Sequence, residues 1–464
     1  MEELTKPHPY IPNSVPRIKR EMLDAIGVGD VDELYGAIPE RLRVPGLLDL
    51  PKPIRAEHAL RRHVGGLLAR NDNCAETLSF LGGGCWPHAV PAVCDEIANR
   101  GEFVTAYYGD TYSDHGKLQA LFEYASMVGE LVELDAVSLP TYDWGSAAAT
   151  SICMASRITG RRVALVPESM GRERTSIVAG YCAPWVDVVT IPFDRSTGLL
   201  ELDPIREAVG DDTACVYVEL PSFLGTLETQ AAEIAELAHD ADALFVAGVD
   251  PISLGVLEAP PRYGADIVCG ELQPLGIHMH HGGGLAGFVA SSDEERFVSE
   301  YPTFLIGLGP TSVEGEHGFG EVVWERTSYV QRGDSKEYTG TTQNLWAIVA
   351  GAYLALVGPA GLAELGEGIM ERARYAAARL DELSGVRAPG LDAPFFKEFV
   401  VDFGGTGRTV AELNRALRER GIFGGLDLSA EYADLGQSAL YCVTEVHAKA
   451  DIDRLVAELA EVLR

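Results

Sequence analysis

The chain has 464 residues, 47% of them hydrophobic and 23% charged, which is enough for a sizeable soluble core and for two or three domains. A net charge of −32 repels phosphate backbones and anionic lipid, so the composition speaks against nucleic-acid and membrane-surface roles. The eight cysteines are scattered, with no Cys-x-x-Cys pair, and read as buried thiols of a reducing compartment rather than as disulfides or a zinc site.

The N-terminal Met-Glu-Glu-Leu-Thr-Lys-Pro lacks the basic-then-apolar order of a signal peptide. No apolar run approaches membrane-spanning length on this reading, and a cytoplasmic protein is expected. Residues 1–65 read as an N-terminal arm. Apolar residues at helical spacing over 18–26 end at Gly27, a second short helix follows at Val31–Tyr35, and 47–53 is extended and proline-punctuated. Such an arm is expected to pack on a larger body or on a partner.

Residues 66–350 read as a large α/β domain. Apolar runs at 163–166, 186–190, 213–218, 243–247 and 266–269 alternate with helix-like stretches such as 147–158 and 229–241. Continuous apolar strands alternating with helices predict a mostly parallel sheet covered on both faces. Residues 351–464 read as a small α+β domain: a long helix over 361–383, a strand at 399–403, a helix at 410–420, an apolar run at 439–443 and a terminal helix at 452–463.

Three segments of the large domain look like parts of a site. In Tyr142-Asp143-Trp144-Gly145-Ser146 a turn opens a helix, whose free N–H groups either take a phosphate or are simply capped. Asp250 ends an apolar strand, where ligands of open α/β sheets sit. Residues 265–284 run from a third strand through Gln273-Pro274-Leu275 to His278, His280 and His281. No nearby Cys or carboxylate pair completes a metal site there, so partly buried, hydrogen-bonded histidines are expected, and no metal.

Together with Phe80-Leu81-Gly82-Gly83-Gly84-Cys85-Trp86-Pro87-His88, Arg100-Gly101-Glu102-Phe103, Gly282-Gly283 and Val443-Thr444-Glu445, these segments resemble the glycine cleavage P-protein. The likeness is to the alpha (subunit 1) type of organisms that divide the protein between two chains. It implies a pyridoxal-phosphate aminotransferase-like fold (fold type I). It also implies a beta-type partner subunit that bears the cofactor on the lysine of a His-Lys-Thr motif. Laid on that motif, this chain has Gln273-Pro274-Leu275, and proline has no side-chain amine with which to hold the cofactor. Lysine is scarce, and none lies between Lys117 and Lys336.

The resemblance thus implies a subunit that is inactive alone and completes a partner's active site for decarboxylation of glycine or another small amino acid. A lipoyl carrier protein is a further partner on this reading. Pocket candidates are His88, Tyr107, Tyr112, His115 and Arg326, for orientation and carboxylate contact. A vestigial or shared cofactor place would involve Gly145, Ser146, Asp250, which in such enzymes pairs with the pyridine nitrogen, and Pro274.

The chain departs from the family in Asp110-Thr111-Tyr112-Ser113-Asp114-His115-Gly116, in Arg326-Thr327-Ser328-Tyr329-Val330-Gln331-Arg332, and in Tyr142-Asp143-Trp144, where Tyr-Asp-Gly is usual. Lys117, beside the first of these, reads as a solvated residue at a helix start. The alternatives are a non-catalytic scaffold or regulatory protein of the same fold, and a homo-oligomeric enzyme using the histidine segment without the cofactor.

Overall fold

The structure, a computed structural model, describes residues 10–44, 46, 48–74, 76–104, 115–322, 337 and 339–464. It divides into two compact units, Met1–Asp72 and Asn73–Arg464. In the first, α1 (Pro16–Ile26) begins on a proline, whose missing N–H has no helical partner to lose, and ends at Gly27. The φ of 86° at Gly27 is the left-handed cap that glycine adopts without penalty. The expected helix at Val31–Tyr35 is a 3-10 turn, capped by the Asp30 side chain on the Asp32 N–H. It is followed by α2 (Glu57–Leu68).

The second unit opens with β1 (Leu78–Ser79), α3 (Ala92–Ala98) and α4 (His115–Val132). Its main sheet contains β2 (Ala136–Val137), β3 (Val163–Pro167), β4 (Asp187–Ile191), β5 (Thr213–Leu220), β6 (Leu244–Val249), β7 (Ile267–Glu271) and β8 (Gly287–Ser291). The order across it is β2-β8-β7-β6-β5-β3-β4. The five strands expected from their apolar runs, β3 to β7, are all present and mutually parallel. β8 and β2, which the sequence does not mark, add antiparallel at one side.

Alternate strand residues feed two cores, as the period of two requires. Leu165, Val216, Val218, Phe245 and Val268 join one cluster with α4 and α8 (Ala231–Asp240). Ala164, Val166, Cys215, Tyr217, Val246 and Cys269 join the other with α5 (Trp144–Thr159) and α6 (Arg172–Cys182). After Trp144, residues 145–151 of α5 are all Gly, Ala, Ser or Thr and wholly buried, so its backbone can lie close to the sheet.

α7 (Leu202–Ala208) connects β4 to β5, and between the main sheet and the C-terminal region lie α9 (Glu295–Val298), a hairpin of β9 (Ile306–Pro310) with β10 (His317–Glu321), and α10 (Asn344–Asp381). Among the described residues α10 is the helix long and apolar enough to cross a membrane by length and composition, contrary to the expectation of no such run. Its geometry breaks at Gly358 (φ 63°, ψ 175°) beside Pro359, and Ala347, Val349, Ala350 and Tyr353 are buried in the first core cluster.

The C-terminal sheet, in the order β11-β14-β13, is made from β11 (Glu398–Asp402), β13 (Leu426–Asp427) and β14 (Ser438–Cys442). α11 (Val410–Arg418) and α12 (Lys449–Val462) pack a third cluster with the far end of α10. β12 (Ile422–Phe423) pairs in parallel with β1, Leu78 opposite Ile422. This brings the glycine-rich loop after β1 to the carboxyl ends of β6 and β7.

Candidate functional site

The site lies where Asp250 leaves β6 and Glu271 ends β7, beneath the loop of residues 80–91. Asp250 is 2% exposed and accepts the Ile252 N–H at 3.0 Å through Oδ1. Its Oδ2 lies 2.6 Å from Nζ of Lys397, the residue before β11, which is itself 2% exposed. The ammonium stands 3.6 Å above the ring of Trp86 and donates to Nε2 of His88 at 3.0 Å. The other ring nitrogen of His88, Nδ1, faces Glu445 Oε2 at 2.9 Å.

Burial opposes the Glu445 charge, but His88 and the Ala89 N–H, donating at 2.6 Å, outweigh it and hold the carboxyl down at about 2. An isolated ammonium buried here would cost several kcal/mol. One carboxylate, one ring face and one imidazole compensate it.

A second chain runs beside the first. Trp144 Nε1 donates to the Tyr217 hydroxyl at 3.0 Å, which donates to Glu219 Oε1 at 3.1 Å. Arg174 meets that carboxylate at 2.5 Å and lies 4.1 Å over the Trp144 ring. Gln273 clamps the loop from below. Its Oε1 accepts the Trp86 N–H at 3.0 Å, and its Nε2 donates to the carbonyls of Trp86 and Ile277.

The head of α5 is already supplied with side-chain acceptors. Asp143 and Ser146 form a reciprocal capping box, the Ser146 N–H reaching Asp143 Oδ1 at 2.7 Å. Glu271 accepts the N–H groups of Trp144, Gln273 and Ala286 at 3.1, 3.0 and 2.7 Å. Complete burial nonetheless dominates and pushes its carboxyl up to about 8. The capping pattern read in this turn is thus present as a capping box. Gly145 is small because of helix packing: a Cβ there would come within 2.9 Å of Ile177 on α6.

Of the residues singled out in the sequence, His88 and Asp250 are brought together through Lys397, while Gly145 and Ser146 lie at the α5 head and Pro274 is buried after β7. Tyr107, Tyr112 and Arg326 lie outside the described residues, as does the His115 side chain, although His115 begins α4. Lys117 does begin a helix but is 4% exposed, not solvated, because its turn of α4 packs inward with Leu118 and Leu121.

The histidines after Pro274 are exposed rather than partly buried. His278 pairs with Asp95 at 2.9 Å, His280 stacks on Trp346, and His280 and His281 take φ values of 43° and 57°. No group of His, Cys, Asp or Glu among the described residues is arranged to hold a metal.

The family model of the glycine cleavage system P-protein matches residues 8–459. The chain belongs to the P-protein family. It is 39% identical to the probable glycine dehydrogenase (decarboxylating) subunit 1 of Staphylothermus marinus, over 98% of each chain. It is 36% identical to the protein of that name from Geobacillus kaustophilus, over 98% of this chain and 99% of the other. A crystal structure of an inhibitor-bound glycine decarboxylase (P-protein) superposes with a TM-score of 0.85 at 35% identity, over 99% and 100% of the two chains. A NifS-like protein superposes at 0.62 with 12% identity, over 83% and 99%, which shows the fold alone. The expected α/β, fold type I class is thereby borne out, as is the resemblance to the alpha-type chain.

The family's reaction uses pyridoxal phosphate, and the residues present here do not fit it. Asp250 is neutralised by Lys397, and the head of α5 is occupied by Asp143 and Glu271. The space left between Trp86, Trp144, Asp250, Lys397 and Glu398 is about 10 Å³, room for one water. Trp144 is one wall of that space. Beside it, at the head of α5, a cavity of about 600 Å³ is lined by Gly83, Asp143, Trp144, Gly145, Arg174 and Glu271.

Sequence reasoning missed Lys397, Trp86, Gln273 and Glu271. Lys397 could have been found, because Lys397-Glu398 is a charged pair enclosed by Phe395-Phe396 and Phe399-Val400-Val401, and charges in such a run need buried partners.

Proposed function

We propose that this chain is the alpha-type subunit of a P-protein-like amino-acid decarboxylase, inactive alone, which completes and supports the active site of a pyridoxal-phosphate-bearing beta-type subunit. Glycine or another small amino acid is the substrate, a lipoyl carrier the acceptor, and the cytoplasm the setting. One observation carries the reading: in a chain that matches subunit 1 proteins from end to end, its own side chains close the cofactor place. When bound on the partner, pyridoxal phosphate supplies the electron sink for loss of carbon dioxide.

This chain's part is to present a rigid face. His88, held by Glu445 and Lys397, and the clamp of Gln273 on Trp86 fix the loop of residues 80–91. His115, Tyr107, Tyr112 and Arg326 are the proposed contacts to substrate. The first unit, in which Val15 and Leu23 are the buried apolar residues among those described, is proposed to find its packing on the partner.

The experiment is co-expression with a beta-type chain bearing His-Lys-Thr, followed by exchange of labelled bicarbonate into the glycine carboxyl group. Exchange should need both chains, and Arg326→Ala should abolish it in an assembled complex. Exchange by this chain alone, or by the partner alone at the full rate, would overturn the proposal.

A further inference from the structure

The geometry points to a role for Lys397: it is an internal ligand, an alkylammonium delivered by the C-terminal sheet into the cation place of the fold, and it latches that sheet to the main one. The acceptor is Asp250, whose Oδ2 meets Nζ at 2.6 Å. The floor is the Trp86 ring at 3.6 Å, a distance at which a desolvated ammonium is attracted to the ring face. The wall is His88 Nε2 at 3.0 Å. These groups come from three separate stretches: the loop after β1, the end of β6, and the residue before β11. One cation therefore joins them all.

The neighbouring Glu398 feels the ammonium charge but is tied elsewhere. Its Oε1 is engaged by the Gly83 N–H at 2.7 Å, and a Cβ on Gly82 would come within 2.0 Å of the same oxygen. Glu398 thus fixes the glycine loop while Lys397 fixes the floor beneath it. The site has kept its appetite for a cation and satisfies it from within the chain. This inference concerns this chain alone and does not depend on which partner or substrate it serves.

Two consequences separate an internal ligand from an ordinary buried ion pair. Lys397→Ala leaves a channel the length of a propylammonium group, with a carboxylate at its end and an aromatic face beside it. The full-length Lys397→Ala chain should lose roughly 5 °C or more in Tm, because an unpaired buried charge remains. Millimolar n-propylammonium should restore much of that loss, and n-propanol should not. The wild-type chain should not respond to either.

Where Lys397→Ala fails to fold, the combination Lys397→Met with Asp250→Asn keeps the idea testable. The double variant should melt higher than the Asp250→Asn chain alone and should ignore propylammonium. Hydrogen exchange at residues 80–91 should rise at least tenfold in Lys397→Ala and fall again with propylammonium. The inference is overturned if propanol rescues as well as propylammonium, or if the Lys397→Met and Asp250→Asn losses simply add. It is also overturned if wild-type chain and pyridoxal phosphate give a borohydride-reducible adduct on Lys397, which would make that lysine a cofactor carrier instead.

Discussion

Glu271 accepts the backbone N–H of Trp144 at 3.1 Å, so the first turn of α5 is capped from the end of β7 rather than by a bound anion. This carboxyl also holds the N–H groups of Gln273 and Ala286. Its burial raises it to about 8, well above the ordinary carboxylate range. A folded-state value above the unfolded one means that the protonated form is favoured on folding. The contribution is fully present below the unfolded value and is lost as pH rises through about 8. Between about pH 5 and pH 8, wild-type stability should fall relative to Glu271→Gln, with a slope approaching about 1.4 kcal/mol per pH unit, and level off above pH 8. Urea unfolding of both chains at four pH values measures it, and parallel curves would contradict it.

Glu445 has the opposite sign. Its carboxyl sits at about 2, so its contribution is present above the ordinary value near 4.5 and disappears as pH falls from there towards 2. Glu445→Gln should cost about 1–3 kcal/mol at pH 7, because the Ala89 N–H and His88 lose a charged acceptor. The cost should shrink steadily below pH 4. A difference in Tm that is constant from pH 7 to pH 3 would show that the charge is not what holds the loop.

Gly145→Ala should destabilise by about 1–3 kcal/mol, since the added methyl would lie 2.9 Å from Ile177 and 3.3 Å from the Arg174 chain. Gly283→Ala is the control. That position has an ordinary φ of −106° and meets only the His280 carbonyl, at 3.5 Å. The control should change stability by less than about 0.5 kcal/mol. Equal effects in thermal melts would argue that α5 and α6 have room to separate.

Tyr217→Phe removes the hydroxyl that takes the Trp144 indole proton and gives its own to Glu219. Both partners are buried, so the loss should be about 1–3 kcal/mol and should appear as a lower urea midpoint with an unchanged slope. Trp144 fluorescence should shift in the same variant, because the ring loses the contact that orients it.

Strands β3, β5, β6 and β7 were legible because each is buried on both faces and so reads as a continuous apolar run, whereas the edge strand β4 is largely exposed and showed only through its β-branched residues. β8 was not. It reads Gly-Phe-Val-Ala-Ser, follows a glycine-rich loop, and joins the sheet antiparallel, with no crossover helix to announce it. The place of Asp250 was legible from its strand end, but its partner was not. Lys397 is far away in sequence, and only the fold brings β11 to β6. Just after β7, where the resembled motif has its lysine, stands Pro274. The turn at Asp143 carried both a capping and an anion-binding pattern, and the choice depended on Glu271, which a linear reading places more than a hundred residues downstream.

The pairing of Leu78 with Ile422 has a bearing on synthesis. β1 leaves the ribosome more than three hundred residues before the strand it needs, and His88 waits still longer for Glu445. During translation the glycine loop has no frame, while the main sheet, built from neighbouring crossovers, can assemble as it emerges. The Asp250 site can close only after Lys397 has been synthesised. Until then, the nascent chain exposes an unpaired carboxylate at the mouth of an otherwise finished sheet.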